Sequence, residues 1–323
     1  MPTKTASLSK RSPIDQETKR RERASMWKRV RQDKTLYLIL LIPIIYLLIF
    51  KYVPMAGNIL AFRKFKVGGS MFGVKWEGLK YFDLFMHDPT FWQVFSNTLI
   101  LSVLTLIFGF PIPIILALML NELKNKAGKR VVQTITYLPK FLSTVVVVSM
   151  LQTLLSPSSG AINMFLNKLG MDSIYFLNQP EWFRPVYIIS DIWQFMGWNS
   201  ILYLTALTSV DPQLYEAAAI DGAGRWKQTL HVTLPGILPT IVITLILSTG
   251  SVLSVGFEKV LLLYTANTMS VADVISTYTY RMGIVNSQYS YTTAIGLFQG
   301  VINLIIISSV NKISKKTTET SLW

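Results

Sequence analysis

Six stretches of this chain are together too long and too apolar for anything but a helical protein embedded in a membrane. Residues 89–121, 141–167, 192–210, 232–257 and 282–311 contain no Asp, Glu, Lys or Arg. Each can supply the ~20 residues that cross ~30 Å of hydrocarbon. A sixth run, Thr35 to Phe50, is shorter and spans if Lys34 and Lys51 snorkel to the two interfaces. A buried core helix of a soluble protein accounts for one such run, not for six. Only 15% of the residues are charged, where a soluble chain carries about 25%. The expectation is an all-α integral membrane protein with six transmembrane helices, near residues 35–54, 95–120, 131–155, 185–209, 236–256 and 291–310. Pro43 and Pro54 are expected to break and close the first, Pro111 and Pro113 to kink the second, and Pro139 to interrupt the third. The loop 55–90, aromatic and amphipathic, reads as an ordered cap.

The net charge of +14 would fit nucleic acid, but its distribution does not. Residues 1–34 hold 11 Lys/Arg against Asp15, Glu17, Glu22 and Asp33; beside an apolar span this excess sets topology under the positive-inside rule. Contact of Trp27, Lys28, Arg29 and Arg31 with anionic membrane lipid is a secondary reading. With six spans, the side holding both termini and the loops 121–130 and 211–235 carries 20 Lys/Arg against 9 on the other, which puts N- and C-termini in the cytoplasm. The division is a cytoplasmic basic tail, 1–34, and a transmembrane domain, 35–323. The basic part is too long for a cleaved signal peptide, and no small-residue cleavage site follows it. With no cysteine, disulfides and thiolate chemistry are excluded. His87 and His231 fall on opposite sides, so no metal site is supported.

The loop 211–235 is unusual for a simple connection. Asp211 is a good N-cap and Pro212 suits the first helical position. The helix is expected to run to Ile220 and to stop in left-handed geometry at Asp221-Gly222. A second short helix, Arg225 to about Thr233, is expected to end before Pro235. Leu214, Ala217 and Ala218 share a face, and two alanines there admit close approach of another protein. Glu216 is the charge on the first helix; Arg225 and Lys227 supply the opposite sign on the second. The bland alternative, an ordinary amphipathic loop, needs neither the alanine run nor the Gly and Leu234-Pro235 at their offsets.

Glu216-Ala-Ala-Ala-Ile-Asp-Gly222 with Val232-Thr-Leu-Pro235 resembles the EAA loop of the membrane subunits of binding-protein-dependent ABC importers. Tyr215 to Trp226 is similar to the sugar-permease version, as are Gly160-Ala-Ile-Asn163 with Leu166 and Gly170, and Ile192-Trp-Gln194 with Gly197. Lys51-Tyr-Val-Pro-Met-Ala-Gly57, Val271 to Tyr278 with Tyr280-Arg281, and Leu322-Trp323 resemble the polysaccharide and oligosaccharide branch, the lipoprotein-B-type permeases. The likeness runs from about residue 30 to the end, with a departure at Lys140, where an aromatic or His is usual. It implies a type I importer permease (MetI-like) fold in a bacterial plasma membrane. It also implies a second homologous permease, two ATPase subunits that bind ATP and Mg and dock on the elbows through Tyr215, Glu216, Ala217, Ala218, Asp221, Gly222, Arg225, Leu234 and Pro235, an extracellular solute-binding protein, and an oligosaccharide substrate. The chain carries no G-x-x-x-x-G-K-[ST] loop, so hydrolysis belongs to a partner and the chain itself is not expected to be an enzyme or to hold a cofactor.

Ionisable residues at membrane depth default to functional readings. Lys140 either pairs with Asp191, faces a water-filled cavity, or snorkels from a break at Pro139. Trp193, Gln194, Trp198 and Asn199 form an aromatic–amide set suited to sugars, or equally an interfacial belt with helix-packing amides. A secondary transporter would need ion-coupling acids at the midplane and often internal repeats; neither is visible. Permeases for an amino acid or a phosphonate share the bare loop pattern.

Overall fold

The computed structural model describes residues 32–323. The expected tail, 1–34, therefore lies outside the described residues as far as residue 31. The chain divides into two units, residues 1–59 and 60–323.

In the first unit helix α1, Lys34–Leu47, keeps Pro43 inside it, and the helical run does not end at Pro54. A π turn, Leu48–Tyr52, comes just before that proline, and Val53 donates its N–H to the Leu48 carbonyl. The run then continues to Phe62. A proline ring strains an α-helix by crowding the carbonyl four residues back; a widened turn makes room for it. The expectation that Pro54 closes the helix is corrected for this reason.

The second unit opens on a two-stranded ladder, β1 Arg63–Lys64 and β2 Lys75–Trp76, antiparallel with Arg63 opposite Trp76. It is the exception to an otherwise helical structure. Ser290 fixes it: its hydroxyl donates to the Arg63 carbonyl (2.7 Å) and accepts from the Phe65 N–H (2.9 Å). Behind it α2, Lys80–Met86, contributes Phe85 to an aromatic cluster with Phe91, Tyr278 and Tyr291, so the segment from Arg63 to Asp88 is ordered, whereas 55–62, expected as loop, extends the first helical run. Asp88 caps α3, Pro89–Gly109, accepting from the Thr90 N–H. Burial pushes the Asp88 carboxyl up, but bonds from the Tyr278 hydroxyl, Thr90 and the Tyr291 hydroxyl outweigh it and hold the group below the usual range.

Helix α3 leads through Phe110 into α4, Pro111–Glu122. The third apolar run is not a straight span. Helix α5, Lys126–Tyr137, and its 3-10 extension Leu138–Phe141 meet α6, Thr144–Leu154, at 103°. Pro139 cannot donate, Leu142 is extended, and Ser143 caps the new helix by accepting from Val146. After α7, Ala161–Lys168, the 28-residue α8, Pro180–Leu207, packs against α3, α4 and α5. Gly197 sits on the carbonyl of Thr136 so closely that a Cβ there would overlap it.

The turn Ser156–Ile174 is organised by Asn163, which is almost fully buried. Its amide nitrogen reaches the carbonyls of Ser156 (3.0 Å) and Ile174 (2.9 Å), and its oxygen accepts from the Ile174 N–H (2.8 Å). Asn163→Ala leaves the Ile174 N–H and carbonyl unpaired, while the Ser156 carbonyl keeps the Gly160 N–H (3.0 Å), and is expected to destabilise the turn by about 2–4 kcal/mol. Hydrogen exchange at the Ile174 amide should speed up accordingly; unchanged protection would mean that the turn is held by something else.

Helices α9, Pro212–Ile220, and α10, Arg225–Gln228, form the elbow. From α10 the chain passes through a π turn, Thr229–Thr233, into α11, Leu234–Thr249. The second arm therefore does not end before Pro235. Leu234 donates to the Thr229 carbonyl, the device seen before Pro54, and the helix is continuous from Arg225 to Thr249. Short helices α12 Phe257–Leu263, α13 Met269–Ala272 and α14 Ile275–Thr279 follow. They hold a buried polar knot: Asp273 accepts from Arg281 (2.5 Å) and Thr277 (2.7 Å), and Asn97 donates to the Ser270 carbonyl while accepting from Arg184. The stretch Val271 to Arg281 is thus a structural tie. Helix α15, Tyr289–Thr318, ends the fold, and Asn311 pins the tail by accepting from Leu322 (2.8 Å).

Among the described residues four helical runs are long and apolar enough to cross a membrane, or five if the bent pair α5–α6 counts as one span. Helix α8 has the length, but its polar residues keep it outside that set.

Candidate functional site

The elbow is built as its residues dictate. Asp211 accepts from the Gln213 N–H (2.9 Å) and Pro212 opens α9. The helix is closed by Ala223 N–H to the Ala218 carbonyl (2.9 Å) and Gly222 N–H to that of Ala219 (3.0 Å), with Gly222 at φ +74°. That is the left-handed stop expected from Asp221-Gly222. Glu216 and Ala217 are exposed and Ala218 half-buried. Beside them Leu214, Ile220 (86% exposed) and Trp226 (75%) point outward. Ile220 and Trp226 escape sequence reasoning, because an apolar residue in a loop gives no sign of which way it faces.

The two arms are braced. The Tyr215 hydroxyl donates to Thr233 (3.1 Å) and the Gln228 amide to the Ala223 carbonyl (3.0 Å). Arg225 lies 3.5 Å from Glu122 at the end of α4. Gly236 fits against Val210, where a Cβ would come within 2.8 Å of a methyl. Glu216, Ala217, Asp221, Gly222 and Arg225 thus form one exposed knuckle, with Tyr215 and Ala218 half-buried in it. Leu234 and Pro235 lie instead in the first turn of α11.

A cavity of about 610 Å³ lies between α3–α4, α8, and α11 with the turn after it. Its walls carry Ser102, Thr105, Asn199, Tyr203, Thr244 and Ser248, hydroxyls and an amide among apolar surfaces. Asp191, Trp198 and Asn199 line it; Trp193, Gln194 and Lys140 do not. Gln194 is buried and donates to the Leu142 carbonyl (3.3 Å), one of the groups freed by the α5–α6 bend. Lys140 does not pair with Asp191. Its Nζ sits 4.4 Å above the Phe195 ring, while Asp191 takes Lys259 at 3.3 Å. Lys259 is 4% exposed and lies 5.4 Å over the Tyr187 ring. It comes from α12, 68 residues further on, a fold-back that no local pattern announces. Among the described residues no group of three His, Asp or Glu is placed to hold a metal.

Residues 109–319 match the family described as the inner membrane component of binding-protein-dependent transport systems. The chain belongs to that family. The match begins at the end of α3 and takes in the elbow and most of the cavity wall. This permease is 44% identical over 305 residues to the polygalacturonan/rhamnogalacturonan transport system permease protein YteP of Bacillus subtilis (strain 168), covering 94% of this chain and 95% of the relative. It is 43% identical to protein LplB of the same organism, over 91% and 92%. In structure it is similar to a chain of a bacterial alginate ABC transporter crystallised with an alginate pentasaccharide-bound periplasmic protein. The TM-score is 0.85 at 45% identity, over 92% of this permease and 99% of that chain.

Proposed function

We propose that this permease is one membrane subunit of an ATP-driven importer of oligosaccharides or polysaccharide fragments, uronate-containing ones in particular. A second homologous permease completes the pathway, an extracellular solute-binding protein delivers the substrate, and a pair of ATPase subunits, which bind ATP and Mg, docks on the elbows. Counting the bent pair and α8 each as a span gives six, with both termini on one side, and the Lys/Arg bias supports the cytoplasm for that side; α8's 28 residues rise about 42 Å, enough to cross. The tail 1–34 and the domain 35–323, in a bacterial plasma membrane, complete the reading.

One observation carries it. The helix that leaves the elbow at Arg225 is the same helix that reaches the cavity with Thr244, Leu247 and Ser248. With Tyr215 and Gln228 bracing the bend, a push on Ala217 and Ala218 moves the cavity wall rather than flexing a loop. The hydroxyl-rich lining supports a sugar substrate, and the polygalacturonan and alginate systems among its likenesses support an acidic one. Proteoliposomes holding this permease with its partner subunits and binding protein should accumulate uronate oligomers only when ATP is supplied inside. Accumulation of an amino acid instead, or uptake that ignores ATP, would refute the assignment.

A further inference from the structure

Asp191 is, among the described residues lining the cavity, the one with a formal charge, and that charge does not stand alone. Lys259 backs it from outside the lining, 3.3 Å away, with 5% of its side chain exposed against 25% for Asp191. The pair is therefore asymmetric: the carboxylate faces the space and the ammonium faces protein, lodged over the Tyr187 and Phe195 rings. A buried ion pair gives little net stability over an apolar pair of the same volume, so stability is a weak reason for placing one here.

We propose that Lys259 is a specificity residue that makes the cavity passable to anionic sugars by cancelling the Asp191 charge. Asp191 keeps Oδ2, the oxygen that Lys259 does not take, as an acceptor for sugar hydroxyls, and Lys259 prevents that acceptor from repelling a uronate carboxylate as it passes. The proposal rests on the importer reading above and adds to it a charge filter in the wall. Lys140, whose Nζ lies 4.4 Å above the Phe195 ring, is a second positive charge behind the cavity wall.

The test separates charge from structure because both single substitutions break the same pair while leaving opposite charges. Uptake of one uronate oligomer is measured in the assembled transporter at saturating loaded binding protein, and divided by the ATPase rate with unloaded binding protein. Lys259→Met leaves a bare carboxylate in the wall. Repulsion between like charges about 6 Å apart at an effective dielectric of about 20 corresponds to on the order of 100-fold slower uptake. Asp191→Asn leaves a net positive wall and should be at least about 100-fold faster than Lys259→Met by the same Coulomb estimate. The double variant, a neutral wall, should recover most of the loss. Equal losses in the two single variants, whether or not the double variant rescues them, would mean a purely structural pair and overturn the proposal. Should Lys259→Met not assemble, Asp191→Asn against the double variant decides it: the net positive wall must be the faster. A wild-type complex that takes up no uronate oligomer would instead sink the substrate reading itself.

Discussion

Gly222→Pro is expected to abolish import while leaving the permease in the membrane. Gly222 sits at φ +74°, a region open to glycine and closed to proline, whose ring locks φ on the negative side. The substitution also removes the N–H that bonds to Ala219 and disfavours the helical backbone of Asp221 before it. The elbow then loses its angle, whereas the spans lose nothing. Glu216→Lys is the companion test, because Glu216 is exposed on the knuckle and its reversal leaves the fold intact. A charged anchor of an interface is worth about 2–4 kcal/mol, or roughly 30- to 1,000-fold in affinity. Both variants should fractionate with membranes, fail to retain ATPase subunits on purification, and import at background. Wild-type import by either would remove the elbow from the docking role.

Gly197→Leu is expected to be the most damaging small change in the transmembrane core. The atom in the way is the main-chain carbonyl of Thr136, with the Tyr137 nitrogen 2.9 Å from the new Cβ. Neither can swing aside as a flexible side chain can. Even Gly197→Ala must push α8 off α5 at about 1–3 kcal/mol, and leucine at the upper end or beyond. Thermal unfolding of the purified complex should shift down by several degrees for alanine, with poor assembly for leucine. Gly300, mid-helix in α15 with nothing within 4 Å of its Cβ position, is the control. Gly300→Ala should be neutral or stabilising by up to about 1 kcal/mol from helix propensity. Equal behaviour of the two alanine variants would mean that the α5–α8 contact is looser than drawn.

Much of the fold was legible because its signals are local. For four of the six apolar runs the stretch is one helix long and apolar enough to cross a membrane, and Asp211-Pro212 and Asp221-Gly222 mark the ends of α9 by backbone chemistry alone. The failures share a different character. Pro54 and Pro235 read as helix ends because the rule assumes that the preceding turn cannot widen; in both places it does. Span 3 reads as a helix interrupted at Pro139, and the break is there, but nothing local states the 103° angle between the arms that carry Val131-Val132 and Val145–Val148. The partner of Asp191 lies on a short helix that returns to the core after α11. The sequence offers Lys140 for that carboxylate, and the packing of α12 puts Lys259 there instead. The β1–β2 ladder is set by Ser290, which belongs to the last helix, so its own residues carry almost no strand signal.

The widened turn at Thr229–Thr233 has a consequence for phase. It inserts one residue into the screw of the helix, so everything before it is rotated by about 100° relative to everything after it. The outward face of the knuckle and the inward face of the cavity wall are thus keyed to each other by a single extra amide. Shortening that turn by one residue would keep both faces whole yet point them past one another, like a key cut correctly and inserted at the wrong angle.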